Sequence, residues 1–410
     1  MSFALNWLSH DGKLLFAART IRAFSYGFLS IILAIYLKTI GFNEISIGII
    51  LATTLVNGVV FTLLASFYAD RLGRRKLLMV YAALMSASGA VFLVSQNYFV
   101  LIFAALIGTI NVTGTETGAF LSIEQAILPQ AITDARKRNT AFAFYNMFGT
   151  FAMSAGVLLS GVPQILQEHY GLGQVESIRT LFLLYSLLGA SVFVIYLFLS
   201  SKIEAITIKP IQPLSMQSRK IVTRLSGLFA VDSFAGGFVI QSIVSFWFFT
   251  RFGADLTTLS YIFSIAGALT AFSFIVAARI ADRIGLVNTM VFTHIPSNVL
   301  LMLVAFAPAL PIAIGFYLAR MALSQMDVPT RQSYIVSVVN EEERTTAAGI
   351  TNVSRNVAQA VSPSIAGAII QSLSALSAPF IIGGALKIAY DVALYLNFRK
   401  IKPQEETGLK

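Results

Sequence analysis

Ionisable side chains interrupt the long hydrophobic runs of this sequence at a few positions, where they could carry protons or hold charged molecules. Low-dielectric surroundings favour the neutral form of a carboxylic acid, so such a group can load a proton and release it when its access to water changes. Three carboxylates have this setting and are the candidates for proton coupling: Glu116, Asp232 and Asp327. Glu116 is the first choice, because it lies in NVTGTETGAF, whose glycines permit close helix packing. A salt bridge to an arginine of the first or eleventh run is the alternative.

Other polar residues in the same runs could bind a substrate. A charge at the middle of a membrane costs about 3 kcal/mol, so it usually faces an aqueous cavity and a partner. The candidates for a substrate cavity are Arg19, Arg22, Tyr26, Gln241, Arg320 and Arg355. Arg22 and Asp232 occupy corresponding positions of an internal repeat, and we predict that they pair with each other. Lys387 and Asp391 stand four residues apart, which predicts a local pair on one helix.

The hydrophobic runs themselves determine the fold class. Of the 410 residues 56% are hydrophobic and only 12% are charged, whereas soluble proteins have about 25% charged residues. The runs reach roughly 20 residues, which is the length of a membrane-spanning helix, and they lack the alternation of spanning strands. We therefore predict an all-α polytopic membrane protein with twelve spans: 14–39, 45–68, 77–96, 98–126, 140–166, 179–200, 222–250, 256–279, 287–307, 310–337, 345–372 and 376–398.

A polar stretch divides the spans into two sets of six. It contains KPIQPLSMQSRK and predicts a bundle over residues 1–200, a cytoplasmic linker over 201–221 and a second bundle over 222–410. Lys and Arg collect in the loops on one side of the membrane, and such loops stay in the cytoplasm. Both termini are therefore predicted to be cytoplasmic, in a plasma-membrane protein. This loop distribution explains the net charge of +10 without nucleic-acid binding.

A charged turn between the second and third spans recurs in the second half of the chain. ADRLG at 69–73 returns as ADRIG at 281–285, which indicates two homologous halves, an arrangement known among transporters. A carboxylate at such a turn can cap a neighbouring helix or pair with arginine, and Gly73 permits a tight reversal. Contacts of this kind could close a gate, and the candidates are Asp70, Arg71, Gly73, Arg74, Arg75, Asp282 and Arg283.

The same turn resembles the loop motif of the major facilitator superfamily, Gly-x-Leu-Ala-Asp-Arg-x-Gly-Arg-Arg-Lys. The stretch SFYADRLGRRK departs from it at Ser66 and Tyr68 and matches it at Ala69, Asp70, Arg71, Gly73, Arg74, Arg75 and Lys76. The resemblance covers essentially the whole chain. It implies two six-helix bundles whose spans one, four, seven and ten line a central cavity, and it implies transport without specifying the substrate.

Other kinds of protein fit the sequence less well. Cysteine is absent, and His10, His169 and His294 are scattered, so neither a metal site nor a cofactor is predicted. A phosphate-binding Gly-x-x-x-x-Gly-Lys motif is also absent, which argues against ATP-driven transport. No nucleophile and base stand at a readable spacing, so an enzyme is not predicted. A membrane channel is an alternative of a different class, but a channel does not need two half-repeats with charged turns.

These observations predict a secondary active transporter that works by alternating access. Its expected partners are protons, a small-molecule substrate and the lipid bilayer, and we expect a monomer. The mixture of aromatic and carboxylate residues favours efflux of a small organic or drug-like molecule. The buried arginines instead favour an organic anion or another polar metabolite, which is the alternative.

Overall fold

The hydrophobic runs form helices in the computed structural model, which describes residues 8–116, 118–132, 138–204, 214–340, 343–372 and 375–399. Within these residues, nine helical segments are long and apolar enough to cross a membrane, and two shorter apolar helices accompany them. The predicted class, an all-α membrane protein with twelve spans, is confirmed. Four of the spans consist of two consecutive helices each.

In the described part of the first six spans there are eight α-helices: α1 (His10–Thr39), α2 (Glu44–Leu72), α3 (Arg74–Val94), α4 (Tyr98–Ile107), α5 (Ala119–Ile127), α6 (Arg138–Leu158), α7 (Val162–Tyr170) and α8 (Gln174–Leu197). Side chains that accept hydrogen bonds from the first free N–H groups mark where several of these helices begin. Ser9 accepts from the N–H of Gly12 at the start of α1, and Asn43 accepts from the N–H of Ser46 at the start of α2.

The remaining six spans also contain eight helices: α9 (Met216–Gly237), α10 (Gln241–Phe252), α11 (Leu256–Ile284), α12 (Leu286–Ala305), α13 (Leu310–Leu323), α14 (Asp327–Ser337), α15 (Arg344–Ser372) and α16 (Ala378–Phe398). The hydroxyl of Ser215 caps α9 by accepting from the N–H of Ser218. Spans four, seven, ten and five are formed by α4–α5, α9–α10, α13–α14 and α6–α7.

Spans four, seven and ten, predicted over 98–126, 222–250 and 310–337, are each interrupted. Span four breaks where Gly114 and Gly118 adopt φ angles of 78° and 113°, which side chains with a Cβ rarely tolerate. Span seven breaks after Gly237, where a Cβ would lie 2.5 Å from the Cβ of Ser362 on α15. Span ten breaks between Leu323, where α13 ends, and Asp327, where α14 begins. A proline follows near the start of α14, and proline lacks the N–H that a continuous helix would use.

The helices group into two units. The first contains α1–α8, α10 and the beginning of α11 as far as Ser264; the second contains α9, the rest of α11 and α12–α16. In the first unit, α1 packs against α6, α8 and α10; in the second, α9 packs against α15 and α16. The division at residues 200 and 222 stays a prediction.

Candidate functional site

A buried ionic cluster lies in the first unit and is centred on Arg22 of α1. We call it the Arg22 cluster, and its members are Arg19, Arg22, Glu116, Glu124, Tyr145 and Tyr196. Arg22 has no exposed surface and donates to Glu124 through Nη1 at 3.1 Å and Nη2 at 2.6 Å. Its Nε donates to Glu116 Oε1 at 2.8 Å. One guanidinium therefore holds a carboxylate from the break in span four and another from α5, which follows it.

Glu124 is the most completely bonded carboxylate of this cluster. Besides the two bonds from Arg22, it accepts from the hydroxyl of Tyr196 at 2.6 Å and from the hydroxyl of Tyr145 at 2.5 Å. The Arg22 guanidinium also lies 4.3 Å from the ring centroid of Phe120. These four hydrogen bonds tie Glu124 to α1, α6 and α8 and so hold α5 in place.

Glu116, the first choice for proton coupling, lies in the stretch between α4 and α5. Its Oε2 is 3.0 Å from Arg19 Nε, an ion pair without hydrogen-bond geometry. Arg19 in turn lies over the ring of Tyr145, 3.9 Å from its centroid. Glu116 is thus paired with two arginines of span one, which is the alternative that the sequence left open.

A second ionic cluster lies in the second unit and joins three helices. We call it the Asp232 cluster, and its members are Asp232, Asp327, Arg331 and Lys387. Lys387 Nζ of α16 donates to Asp232 Oδ1 of α9 at 2.6 Å, and Arg331 Nη1 of α14 lies 3.6 Å from Asp232 Oδ2. Arg331 also donates to Asp327, four residues earlier. The members are no more than 8% exposed.

Two pairs predicted from sequence are corrected by these contacts. Arg22 and Asp232, predicted to pair with each other, each find their ionic partners within their own unit. Lys387 bonds Asp232 rather than Asp391, so the predicted local pair on α16 is wrong. Asp391 lies on the next turn of α16 and bonds His294 of α12, Nδ1 to Oδ1, at 2.8 Å.

Arg355 and Arg320 lie within spans of the second unit and have no carboxylate partner among the described residues. The Nε of Arg355 on α15 is buried without a hydrogen-bond partner, and Arg331, Asp232 and Asp327 are near enough to interact with this residue electrostatically. Arg320 on α13 is 8% exposed, and its Nε also lacks a hydrogen-bond partner. The Arg320 contact through Nη1 is to the sulfur of Met321, at 3.2 Å.

The two uncharged cavity candidates lie in the first unit and have packing roles. Tyr26 is 3% exposed and lies 6.5 Å from Tyr185, centroid to centroid. Gln241 begins α10 and donates from Nε2 to Ser30 Oγ at 3.0 Å. Its Oε1 would be 1.8 Å from a Cβ on Gly114, so the break in span four needs glycine to admit α10.

The family follows from sequence comparison. The sequence model of the Major Facilitator Superfamily matches residues 15–363. The chain belongs to the major facilitator superfamily. It is a membrane transporter and not an enzyme.

Individual proteins resemble this transporter to different degrees. The uncharacterized membrane protein YJR124C of Saccharomyces cerevisiae is 28% identical over 434 residues, with 97% of this chain and 96% of that protein covered. The arabinose-proton symporter of Bacillus subtilis is 32% identical over 108 residues, covering 26% of this chain and 22% of its own. Among solved structures, a D-xylose-proton symporter has a TM-score of 0.70 at 15% identity, covering 96% of this chain and 98% of its own. The nucleoside transporter NupG has the same TM-score and identity, with 95% and 99% covered.

The gating candidates of the transporter divide into bonded and exposed residues. A carboxylate from the segment after α8 caps α3: Glu204 accepts from the N–H of Arg74 at 2.6 Å and from the N–H of Arg75 at 3.3 Å. The Arg75 guanidinium also donates to the carbonyls of Tyr196 at 3.3 Å and Leu197 at 2.5 Å. The motif arginines therefore fasten α3 to the end of α8.

Among the remaining residues of the motif, the glycines shape the turns and two arginines are exposed. Gly73 and Gly285, at corresponding places of the repeat, have φ angles of 98° and 84°. Arg71 and Arg283 are exposed. The side chains of Asp70 and Asp282 lie outside the described residues, so their gating role stays a prediction.

The sequence pattern does not give the role of three residues in these contacts. It favours Glu116 over Glu124, although Glu124 is the carboxylate on which Arg22, Tyr145 and Tyr196 converge. It pairs Lys387 with Asp391 instead of Asp232. It groups His294 with two other scattered histidines, although the place of His294 inside a hydrophobic run indicates that it needs a buried partner. In the described part of the transporter, no three His, Asp or Glu side chains come together as a metal site would require.

Proposed function

We propose that this transporter carries a small organic anion, coupled to protons, by alternating access of its two six-helix bundles. The sequence favoured a drug-like molecule and gave an organic anion as the alternative. The charges of the second unit favour the alternative. We also propose that the protein is a monomer of the plasma membrane with both termini in the cytoplasm, as the loop charges predict.

The observation that carries the proposal is the unpaired guanidinium of Arg355. The neighbouring cations have carboxylate partners: Lys387 bonds Asp232, and Arg331 bonds Asp327. Arg355 does not share in these bonds, and its Nε is buried without a hydrogen-bond partner. A buried guanidinium without an anion in contact is costly, and a carboxylate or phosphate that forms a two-pronged pair with arginine would remove much of that cost.

Arg320 adds a second cation of the same kind. It is nearly as buried as the members of the Asp232 cluster. Its guanidinium donates to a thioether sulfur, which is a weak acceptor. Two unpaired arginines in one unit favour a substrate with negative charge over a neutral or cationic one. The solved structures named above are only 15% identical, so they support the fold, and the choice of substrate rests on these charges.

Transport in proteoliposomes tests the proposal. The purified protein is reconstituted with an imposed pH gradient and offered labelled monocarboxylates, dicarboxylates and phosphate esters, with neutral and cationic molecules of similar size in parallel. We expect saturable, pH-driven uptake of an anion, which Arg355→Gln weakens by raising KM at least tenfold. Arg355→Lys should retain more affinity, and Arg251→Gln, which changes an exposed arginine on α10, is the matched control.

Two results would contradict the proposal. One is saturable transport confined to neutral or cationic molecules, with Arg355→Gln behaving like the wild type; this would favour drug-like efflux. The other is an ohmic current without saturation, which would mark a channel.

A further inference from the structure

We propose that the His294–Asp391 pair between α12 and α16 takes up the coupling proton, and that an anion bound at Arg355 makes this uptake favourable. The inference rests on the proposed function, because it needs an anionic substrate. It replaces Glu116, the first choice from sequence, with a site in the other unit.

The pair is buried and well defined. His294 is 4% exposed, and Asp391 and Asn298 have no exposed surface. Asp391 Oδ1 is 2.8 Å from His294 Nδ1, and Asp391 Oδ2 accepts from Asn298 Nδ2 at 3.0 Å. Lys387 is one turn away but is used by Asp232. The only side chain with a possible positive charge that touches Asp391, among the described residues, is therefore a histidine.

Histidine differs from the other cations of the second unit in the pH range of its charge. Arginine and lysine stay protonated near neutral pH, whereas an ordinary imidazole changes charge between pH 5 and 8. When His294 is neutral, its Nδ1–H can donate to Asp391. Uptake then forms one new N–H bond, from a water-borne proton to the second ring nitrogen, and release breaks the same bond.

Charge balance links this proton to the substrate. Asp232 on α9 and Lys387 and Tyr390 on α16 lie near enough to the pair to interact with it electrostatically. Asp232 also interacts with Arg331 on α14 and Arg355 on α15, and Asp327 on α14 interacts with the same two arginines. Three carboxylates, Asp232, Asp327 and Asp391, stand against three fixed cations, Lys387, Arg331 and Arg355. This group is neutral when His294 is neutral.

An anion at Arg355 disturbs that balance by one negative charge. A proton on His294 restores it, so the low-dielectric surroundings favour binding of the anion and the proton together. Arg320 stands apart from the balance, because its electrostatic neighbour is the neutral phenol of Tyr317. The predicted stoichiometry is one proton for each singly charged anion.

The carboxylates of the first unit are poorer sites for the proton. Glu124 accepts four hydrogen bonds, and Glu116 is held by two arginines. Protonation of either would leave a buried arginine with less compensation. Glu116→Gln is therefore a useful comparison in the same assay.

Proton and anion fluxes measured together test the inference. Proteoliposomes with an internal pH-sensitive dye are used to record proton entry and labelled anion uptake, and anion exchange without a pH gradient is recorded separately. We expect His294→Gln to lose at least tenfold of the pH-driven accumulation while it retains a larger share of exchange. His169→Gln, which changes an exposed histidine on α7, is the matched control.

A second variant keeps the test decisive if His294→Gln folds poorly. Asp391→Asn retains the hydrogen bond to the imidazole but removes the charge that stabilises its protonated form. It should move the pH at which accumulation is half-maximal to a lower value, by about one unit or more. Wild-type pH dependence in either folded variant, or loss of pH-driven accumulation in Glu116→Gln alone, would overturn the inference.

The outcomes separate the two proposals. If an anion is carried and the His294 variant keeps its proton coupling, the proton site is wrong and the anion transporter stands. If a neutral solute is carried instead, the proposed function is wrong, and the link between the anion and the proton falls with it.

Discussion

The two units hold buried charges at corresponding places of the repeat, but with opposite sign. Arg22 on span one corresponds to Asp232 on span seven, and Glu124 on span four corresponds closely to Arg331 on span ten. In both units, therefore, the first and fourth spans of the set meet through an ion pair. The repeat has kept an ion pair between these two spans and exchanged its charges.

The two units differ in how completely their buried charges have partners in contact. In the first unit two arginines face two glutamates, with tyrosine hydroxyls filling the remaining positions on Glu124. In the second unit lysine and histidine take part, and Arg320 and Arg355 have no carboxylate partner within the described chain. A set of fixed charges that all have partners in contact favours rigidity. A set that includes unpaired arginines favours the binding of an anion. The second unit is therefore where substrate and proton are expected to act.

The largest expected effect on stability comes from a substitution in the Arg22 cluster. Arg22→Gln leaves Glu124 buried without a cation in contact among the described residues, and breaking a buried pair in this way costs about 3 to 5 kcal/mol. We expect a large fall in folded yield and in the thermal unfolding midpoint in detergent. Adding Glu124→Gln should recover part of the loss, because the orphaned carboxylate is removed as well. If the double variant is worse than the single one, the pair is not what stabilises this cluster.

The spans could be predicted from sequence because membrane thickness fixes their length and composition. The breaks in spans four, seven and ten could not be predicted, because the hydrophobicity of a stretch does not determine its backbone conformation. Gly114 shows why: its φ angle of 78° and its contact with Gln241 depend on α10, more than 120 residues away in the chain. The local sequence shows only that such a glycine can adopt a positive φ angle. Whether it does so depends on the tertiary contact.

The charged residues were found by type, but their partners were not. The predicted pair on α16 rested on a spacing of four residues, and Lys387 instead reaches α9. Spacing along one helix gives the neighbours on that helix, whereas a buried charge also selects from every packed helix. His294 was missed for the same reason, since its partner Asp391 lies about a hundred positions away.

The Asp232 cluster should tolerate the loss of one cation better than the Arg22 cluster does. Lys387→Met removes a 2.6 Å bond to Asp232, but Arg331 remains 3.6 Å from the same carboxylate. We expect a loss of about 2 kcal/mol, the value of a hydrogen bond to a charged group, measured by the same unfolding assay. A loss of stability as large as that of Arg22→Gln would remove this distinction between the Arg22 cluster and the Asp232 cluster.

The turns of the repeat should respond alike in the two units. Gly73→Ala and Gly285→Ala each place a Cβ on a backbone with positive φ, which costs about 1 to 2 kcal/mol. Gly315→Ala is the matched control, because Gly315 lies within α13 and a Cβ there meets nothing within 4 Å. The control should be neutral or slightly stabilising. A difference between the two turn variants larger than the difference from the control would show that the halves are not equivalent here.

The smallest effect concerns a carboxylate cap that each unit has outside its spans. Glu204 caps α3, and Glu343 accepts from the N–H of Ser215 at 2.5 Å beside the start of α9. Hydrogen bonds from the Ser218 side chain and the Ser215 backbone lower the pKa of Glu343 below its ordinary value. The ionised cap therefore stabilises the fold above the ordinary carboxyl pKa, and this stability is lost as the pH falls through the lowered pKa.

Glu343→Gln should remove that part of the pH dependence and leave the rest. Unfolding midpoints measured from pH 6 down to pH 3.5 should fall less steeply at the acid end for Glu343→Gln than for the wild type. Glu168→Gln, which changes a carboxylate that accepts from the side-chain amide of Gln164 on the same helix, serves as the control. An unchanged acid slope in Glu343→Gln would mean that the contact at the start of α9 does not persist in solution. The two units would then differ at their caps as they do at their buried charges.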